Sequence, residues 1–346
     1  MNKLVLKNGL SFTGKSFGAE SPSAGEVVFS TGMMGYPESL TDPSYKGQIL
    51  ILTYPLVGNY GIPDKKFWEA DKIMISGLIV STYINTPYHF QSRKTLGQWL
   101  KEEGIPALEI KDTRLLTQTI REKGTVLGKI VNGKDINFYD PDNENLVKKV
   151  STSKVTTKEI SKDAKNILLI DCGAKKNIQR ALSKRGVNVI TVPWDFDLTA
   201  SKFMDKINGV VISNGPGNPK FVTETIENIR KLFKLKLPIL GVCLGNQLLT
   251  LAAGGDTGKL KYGHRSQNQP CTMVGTNRCY ITTQNHGFEV KRIPKDFKPW
   301  FINANDGSNE GIIHKTRPIM SVQFHPEATP GPEDTEWIFD YFLEKI

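Results

Sequence analysis

The sequence predicts an α/β protein: a C-terminal, mostly parallel sheet covered by helices, preceded by an N-terminal mixed α/β, β-rich domain. Three observations carry this expectation. From Asn166 onward, apolar segments bounded by glycine (NILLIDCG, VNVITVPW, GVVISNGPG, LPILGVCLG) alternate with amphipathic stretches at Lys176 to Arg185, Thr223 to Lys234 and Asn246 to Ala253, the pattern of parallel strands buried on both faces. Before residue 140 the β-like runs are shorter (Gly25 to Thr31, Gly47 to Tyr54, Lys72 to Tyr83), and Gly/Pro turns and a helix around Thr95 to Glu103 separate them. Between the two lies a polar stretch almost free of large apolar residues, the composition of a surface linker. The expected organisation is therefore a domain over 1–140, a linker over 141–165 and a second domain over 166–346.

The N-terminus, MNKLVLKNGLSFTG, alternates apolar and polar residues around Asn8-Gly9 and so opens a β-hairpin instead of a targeting peptide. With 38% hydrophobic and 23% charged residues the chain is of globular composition, and it has no apolar run long enough for a transmembrane helix. The net charge of +10 is spread as scattered lysines with no aromatic interleaving. That argues against nucleic acid and for an acidic protein surface as partner. Four cysteines (Cys172, Cys243, Cys271, Cys279) show no C-x-x-C spacing. Neither a metal site, a redox motif nor a disulfide framework is expected, and a reducing cytoplasm is the simplest location.

In open parallel sheets, sites form at the carboxyl ends of strands. One such end is Gly241-Val242-Cys243-Leu244-Gly245-Asn246-Gln247, where a buried strand meets a helix and glycines stand two before and two after the cysteine. Flanking glycines permit a strained strand-to-helix elbow, and a helix N-terminus favours thiolate and offers N–H donors to an oxyanion. A lone cysteine in apolar surroundings is ordinarily a small core residue; the two glycines and Gln247 favour a nucleophile. Its base is His325 in SVQFHPE, delivered by the strand Ile319 to Phe324, with Glu327 two residues on to fix the imidazole tautomer. A second glycine turn, Ser213-Asn214-Gly215-Pro216-Gly217-Asn218-Pro219, can aim backbone N–H groups at a substrate carbonyl or be an ordinary tight turn. It lacks the Lys-Ser/Thr of a phosphate-binding loop.

G-P-G, G-x-C-x-G-x-Q and H-P-E in this order resemble the triad, or class I, glutamine amidotransferases over residues 166 to 346. The N-terminal segments GEVVFSTGMMGYPESLTDPSYKGQILILTYPLVGNY and GIPALEIKDTRLLTQTIREKGTVLGKIV resemble the small, glutaminase subunit of carbamoyl-phosphate synthetases. TGMMGYPE, NYGIPD, SQNQPC and NANDGSNEGI are similar to the fused eukaryotic pyrimidine-pathway enzymes. The resemblance implies Cys243 as nucleophile, His325 as acid and base, and Glu327 as orienting carboxylate. It implies glutamine held by Ser44, Gly215, Gly217, Leu244, Gln247, Asn285, Gly287 and Phe288, where Ser44 read alone is a turn residue in Asp42-Pro43-Ser44-Tyr45. One departure is Asn246, where many relatives carry histidine. The implied reaction is hydrolysis of glutamine to glutamate and ammonia. The ammonia would pass to a large ATP-grasp synthetase subunit or fused equivalent making carbamoyl phosphate for arginine or pyrimidine synthesis. This chain would need no cofactor, ATP and Mg belonging to the partner. Rival readings are the glutaminase of another amidotransferase, a non-catalytic glutamine sensor, and a partner-independent cysteine hydrolase of peptides or γ-glutamyl conjugates.

Overall fold

A computed structural model describes residues 2–198 and 203–346, and the chain forms two compact units. The first comprises Met1–Asn143 with Lys261–Ser266, the second Glu144–Leu260 with Gln267–Ile346.

The first unit is built on an eight-stranded sheet. Its strands are β1 (Lys3–Leu6), β2 (Ser11–Thr13), β3 (Lys15–Ser16), β4 (Ser23–Ser30), β5 (Gln48–Leu52), β6 (Gly77–Val80), β7 (Ala107–Glu109) and β8 (Val126–Val131), in the order β2-β1-β8-β4-β5-β6-β7-β3. β4 through β7 run parallel, and the outer pairs are antiparallel. The N-terminal hairpin forms as expected: Lys3 pairs with Thr13 and Val5 with Ser11 across a turn in which Gly9 has φ +92°. Among the described residues, helices α1 (Tyr36–Thr41), α2 (Leu96–Glu102) and α3 (Thr113–Lys123) cover the sheet. Side-chain alternation divides the core. Leu50, Leu78 and Val80 pack with Leu40 of α1 and Trp99 and Leu100 of α2, while Ile49, Ile51 and Ile79 pack with Leu116 and Ile120 of α3. The β-like run from Lys72 to Tyr83 yields only the four residues of β6; Ile73, Met74 and Ile75 are buried as irregular chain.

The second unit carries a ten-stranded sheet, formed by β9 (Thr156–Lys158), β10 (Asn166–Asp171), β11 (Asn188–Pro193), β12 (Gly209–Ile212), β13 (Ile239–Val242), β14 (Asp256–Met273), β15 (Cys279–Arg292), β16 (Phe297–Asn303), β17 (Asn309–His314) and β18 (Ile319–Val322). The order is β15-β14-β16-β17-β18-β13-β12-β10-β11-β9, and the five strands from β18 to β11 are parallel. Its helices are α4 (Lys176–Lys184), α5 (Thr223–Leu232), α6 (Leu244–Ala252) and α7 (Trp337–Leu343). Both faces of the parallel strands are covered. Leu168, Ile170, Val210 and Ile212 pack beneath α5 and α6, while Ile167, Leu169, Val211 and Leu240 pack against α4 and α7. Helix faces match: Ile178, Ala181 and Leu182 of α4 and Ile226, Ile229 and Leu232 of α5 sit three and four apart on buried stripes.

Two expectations change. The stretch 141–165 is not a bare linker: from Glu144 it belongs to the second unit, Leu146 and Val147 are buried, and Thr156–Lys158 pairs antiparallel with β11. Its two adjacent apolar residues suffice to anchor it, and its polar residues lie outside. Periodicity also assigned no element between β13's helix and β18, where β14 to β17 form an antiparallel extension of the sheet. Among the described residues no helix is long and apolar enough to cross a membrane.

Val147 tests the anchoring. Its replacement by alanine removes two buried methyl groups and is expected to destabilise the second unit by about 2 kcal/mol. Chemical denaturation measures this; a change below about 0.5 kcal/mol, the level of surface substitutions, would mean that the segment is only loosely attached.

Candidate active site

Every site residue predicted from the second half lies in the second unit, and the parallel strand order explains their convergence. β18, β13, β12 and β10 are consecutive neighbours, so their carboxyl ends lie side by side. Cys243 follows β13, His325 and Glu327 follow β18, the Gly215–Gly217 turn follows β12, and the turn after β10 leads into α4 at Lys176.

Cys243 occupies the elbow. Its backbone sits at φ 52°, ψ −102°, outside the regions that L residues favour, a strain of about 1–3 kcal/mol. The N–H of Cys243 continues the sheet by donating to the Val322 carbonyl at 2.8 Å, and its own carbonyl accepts from the Asn246 N–H at 3.0 Å. The flanking glycines answer to space. A Cβ on Gly241 would stand 2.7 Å from the Gly245 backbone, and one on Gly245 would stand 2.2 Å from the Ile212 carbonyl oxygen. Leu244 is the first residue of α6, so its N–H is one of those that the helix itself leaves without a carbonyl and that can serve an external acceptor.

The histidine is held from one side. His325 Nδ1 lies 2.7 Å from Glu327 Oε1, its backbone N–H donates to the Thr283 carbonyl, and its buried Nε2 has no hydrogen-bond partner among the described residues. With a carboxylate accepting at Nδ1, the neutral ring presents a bare Nε2. Behind Glu327 stands a residue that the sequence did not announce. The Lys175 ammonium is 3.1 Å from Glu327 Oε1 and also donates to the Ala328 carbonyl at 2.5 Å, with both side chains of the ion pair almost wholly enclosed. Asp171 builds the turn that delivers it, accepting from the Gly173 and Ala174 N–H groups, and the Asn214 side chain accepts from the Lys175 N–H. Asn177 donates to the Glu327 carbonyl and to Thr329 Oγ1.

Electrostatics follows from this line of groups. Burial disfavours the charged form of Glu327, but the Lys175 ammonium and then His325 outweigh it and hold the carboxyl at about 2. Burial likewise disfavours the imidazolium of His325, and the Glu327 carboxylate and then Cys243 outweigh it, lifting His325 to about 10. A buried thiol beside a buried base of raised proton affinity, on an elbow with an open N–H, is equipped for nucleophilic attack on a carbonyl.

The remaining expected residues are placed as follows. The Gln247 amide nitrogen donates to the Phe288 carbonyl at 3.0 Å, and the Cys243 thiol lies 3.7 Å from the Asn285 carbonyl oxygen, which brings Asn285 and Phe288 of β15 to the elbow. Gly287 lies between them and is half-buried. Gly215 packs so close to the Cys172 carbonyl and Leu244 that a Cβ would stand 2.0 Å from the former, and Gly217 has φ +84°. Ser44 belongs to the first unit, in a single 3-10 turn where its N–H donates to the Asp42 side chain. Besides Lys175, sequence reasoning missed Gln323, whose amide donates to Cys243 Sγ at 3.6 Å. The available signal was position: Gln323 directly follows β18 as Cys243 directly follows β13, the strand it pairs with in parallel.

Comparison with known proteins assigns each half of the chain to a family. Residues 168–345 match the family "Glutamine amidotransferase class-I", which defines the second unit's class. Residues 4–130 match "Carbamoyl-phosphate synthase small chain, CPSase domain". Over 99% of its length the chain is 45% identical to the carbamoyl phosphate synthase arginine-specific small chain of Neurospora crassa, 79% of which is covered. Over the same share it is 50% identical to multifunctional protein CAD of Squalus acanthias and 44% identical to multifunctional protein pyrABCN of Emericella nidulans. It spans only 16% and 17% of those two polypeptides. The chain belongs to the carbamoyl-phosphate synthase small chain family.

Two predictions follow from the charges and the packing. A raised His325 contributes stability that is fully present below its unfolded value near 6.5 and lost as pH rises through about 10. The melting temperature should therefore fall over that interval, and His325→Gln should flatten the fall; equal slopes would contradict the raised imidazole. Gly245→Ala drives a methyl into the Ile212 carbonyl and should cost several kcal/mol, read as a loss of melting temperature far larger than that of Gly104→Ala, whose Cβ meets open space but whose φ of +71° alone is strained.

Proposed function

We propose that this chain is the glutaminase component of a carbamoyl-phosphate synthetase. The observation that carries the reading is the pinned imidazole: Nδ1 fixed by Glu327, Nε2 buried and open, next to a thiol on a strained elbow. Cys243 gives its proton to His325, and the thiolate attacks the side-chain amide carbon of glutamine. The Leu244 N–H, with a Gly217 N–H from the neighbouring turn, stabilises the oxyanion. The imidazolium protonates the amide nitrogen, which leaves as ammonia, and a γ-glutamyl thioester remains. His325 then takes a proton from water, whose oxygen adds to the thioester carbonyl. Collapse releases glutamate and returns the proton to the sulfur. Throughout, Glu327 stays ionised, held so by Lys175, and its charge stabilises the imidazolium at each step.

Gly215, Gly217, Leu244, Gln247, Asn285, Gly287 and Phe288 form the glutamine subsite in this reading. Ammonia near neutral pH is mostly protonated and then not nucleophilic, so it passes unexposed to a large synthetase subunit or a fused equivalent. That partner holds ATP and Mg and makes carbamoyl phosphate from bicarbonate. Family membership in both halves of the chain supports this acceptor over other amidotransferases.

Release of glutamate from glutamine tests the reading, measured with the isolated chain and with a carbamoyl-phosphate synthetase large subunit added. Cys243→Ser should lower the rate by on the order of a thousandfold or more. Lys175→Met should lower it less and move the acid limb of the rate profile upward, because Glu327 loses the first of the charges that keep it ionised. Absence of release even with the synthetase present would refute the proposal.

A further inference from the structure

Against the Cys243 thiol lies a line of uncharged amides, of which the reading above gives a place only to Gln247. Gln323 Nε2 donates to Cys243 Sγ at 3.6 Å. Gln323 Oε1 accepts from two amide nitrogens, Asn246 Nδ2 at 3.0 Å and Gln247 Nε2 at 3.1 Å. Asn246 Oδ1 accepts from the Ser321 hydroxyl at 2.7 Å. Gln323, Asn246 and Ser321 are each 0% exposed.

The direction of every bond in this line is set by one group that cannot reverse. The Phe288 carbonyl is only an acceptor, and the Gln247 amide 3.0 Å from it must present nitrogen. The same nitrogen faces Gln323, which must therefore present oxygen to it and nitrogen to the sulfur. Asn246 faces that oxygen and must present nitrogen, leaving its own oxygen for Ser321. Turning any one amide over would set donor against donor or acceptor against acceptor in a buried place, at a cost of about 1–3 kcal/mol for each group left unpaired. The sulfur thus meets a carbonyl, that of Asn285, with which only the thiol can bond as donor, and an amide N–H that serves the thiolate better.

We propose that Gln323 is a further catalytic residue, a fixed donor to the Cys243 thiolate, and that Asn246 is a positioning residue that keeps the Gln323 amide turned toward the sulfur. The inference deepens the glutaminase reading and rests on it for its relevance to turnover. Such a donor stabilises the anion before attack and also as it is expelled from the thioester, so it acts at both halves of the reaction. The ionisable groups nearest the sulfur and these amides are His325, with Glu327 and Lys175 beyond it, and, on the strands that flank Gln323 and Gln247, the buried Glu310 of β17 and His286 of β15, 3.7 Å apart. The substitutions below replace none of these groups.

The test is the rate of alkylation of Cys243 by iodoacetamide in the full chain, from about pH 5 to 10, a range in which thiolate is the reacting form. The Cys243 peptide is followed by mass spectrometry, so that the exposed Cys279 is not counted. Gln323→Leu should slow alkylation about tenfold on the acid side and raise the pH of half-maximal rate by about one unit, the two being the same change. Gln323→Glu keeps the shape, guards against a folding defect in the leucine variant, and should raise that pH further. Asn246→Asp cannot donate to Gln323 Oε1 and should shift the profile in the same direction. Asn246→Ala should shift it less, because Gln247 still donates. A lowered melting temperature with the parent's pH profile in every folded variant would mean the line is only structural, and would overturn the inference. Glutamate release measured alongside separates the two readings. Intact hydrolysis with an unmoved profile defeats this inference alone; a shifted profile in a chain that never hydrolyses glutamine defeats the glutaminase reading alone.

Discussion

The site depends on one buried hydrogen bond, the 2.7 Å contact of Glu327 with His325 Nδ1. A carboxylate enclosed on all sides is tolerable only with a cation beside it, and Lys175 supplies that charge. With the carboxylate held ionised, the imidazole has one tautomer when neutral, one orientation, and a raised affinity for the proton that Cys243 gives up. Remove the carboxylate's charge and the base becomes an ordinary buried histidine, for which the neutral form is favoured. The fold spends much of its local structure on this bond: the Asp171 turn aims Lys175, and Asn177 grips the Glu327 backbone.

The parallel sheet makes this economical. Strands β18, β13, β12 and β10 end together, so loops far apart in sequence meet without any of them being long. The register Val242↔Val322 sets Cys243 beside Gln323, with His325 two residues further along the same strand end. Cys243, the Gln323 amide and His325 are thereby brought together at the ends of two neighbouring strands. The strain at Cys243 is supported by packing that admits no side chain at Gly241 or Gly245.

What the sequence made legible was what local backbone chemistry dictates. Glycines two before and two after Cys243 marked the elbow because only glycine fits there. His325 and Glu327 were readable as a pair because they are two apart at the end of an apolar strand. The strands β10 to β13 stood out because both their faces are apolar. Lys175 was silent since nothing near it in sequence calls for a buried ammonium; its partner lies on a loop that arrives about 150 residues later. The direction of the Gln323 amide was equally hidden, being fixed by a carbonyl on β15. Strands β14 and β15 escaped because they are rich in polar residues, as in SQNQPC, and alternate on only one buried side in part of their length. The 141–165 stretch misled in the other direction, its general polarity masking the two residues that anchor it.

The central claim is that Cys243 carries the acyl group, with a proton moving between sulfur and His325. Rapid acid quenching of the chain mixed with glutamine, followed by mass spectrometry of the Cys243 peptide, addresses it directly. A γ-glutamyl adduct should appear on Cys243 before glutamate accumulates, should be absent in Cys243→Ser, and should form far more slowly in His325→Gln. Hydrolysis of glutamine with no adduct at any quench time, or with the acyl group on another side chain, would contradict the account.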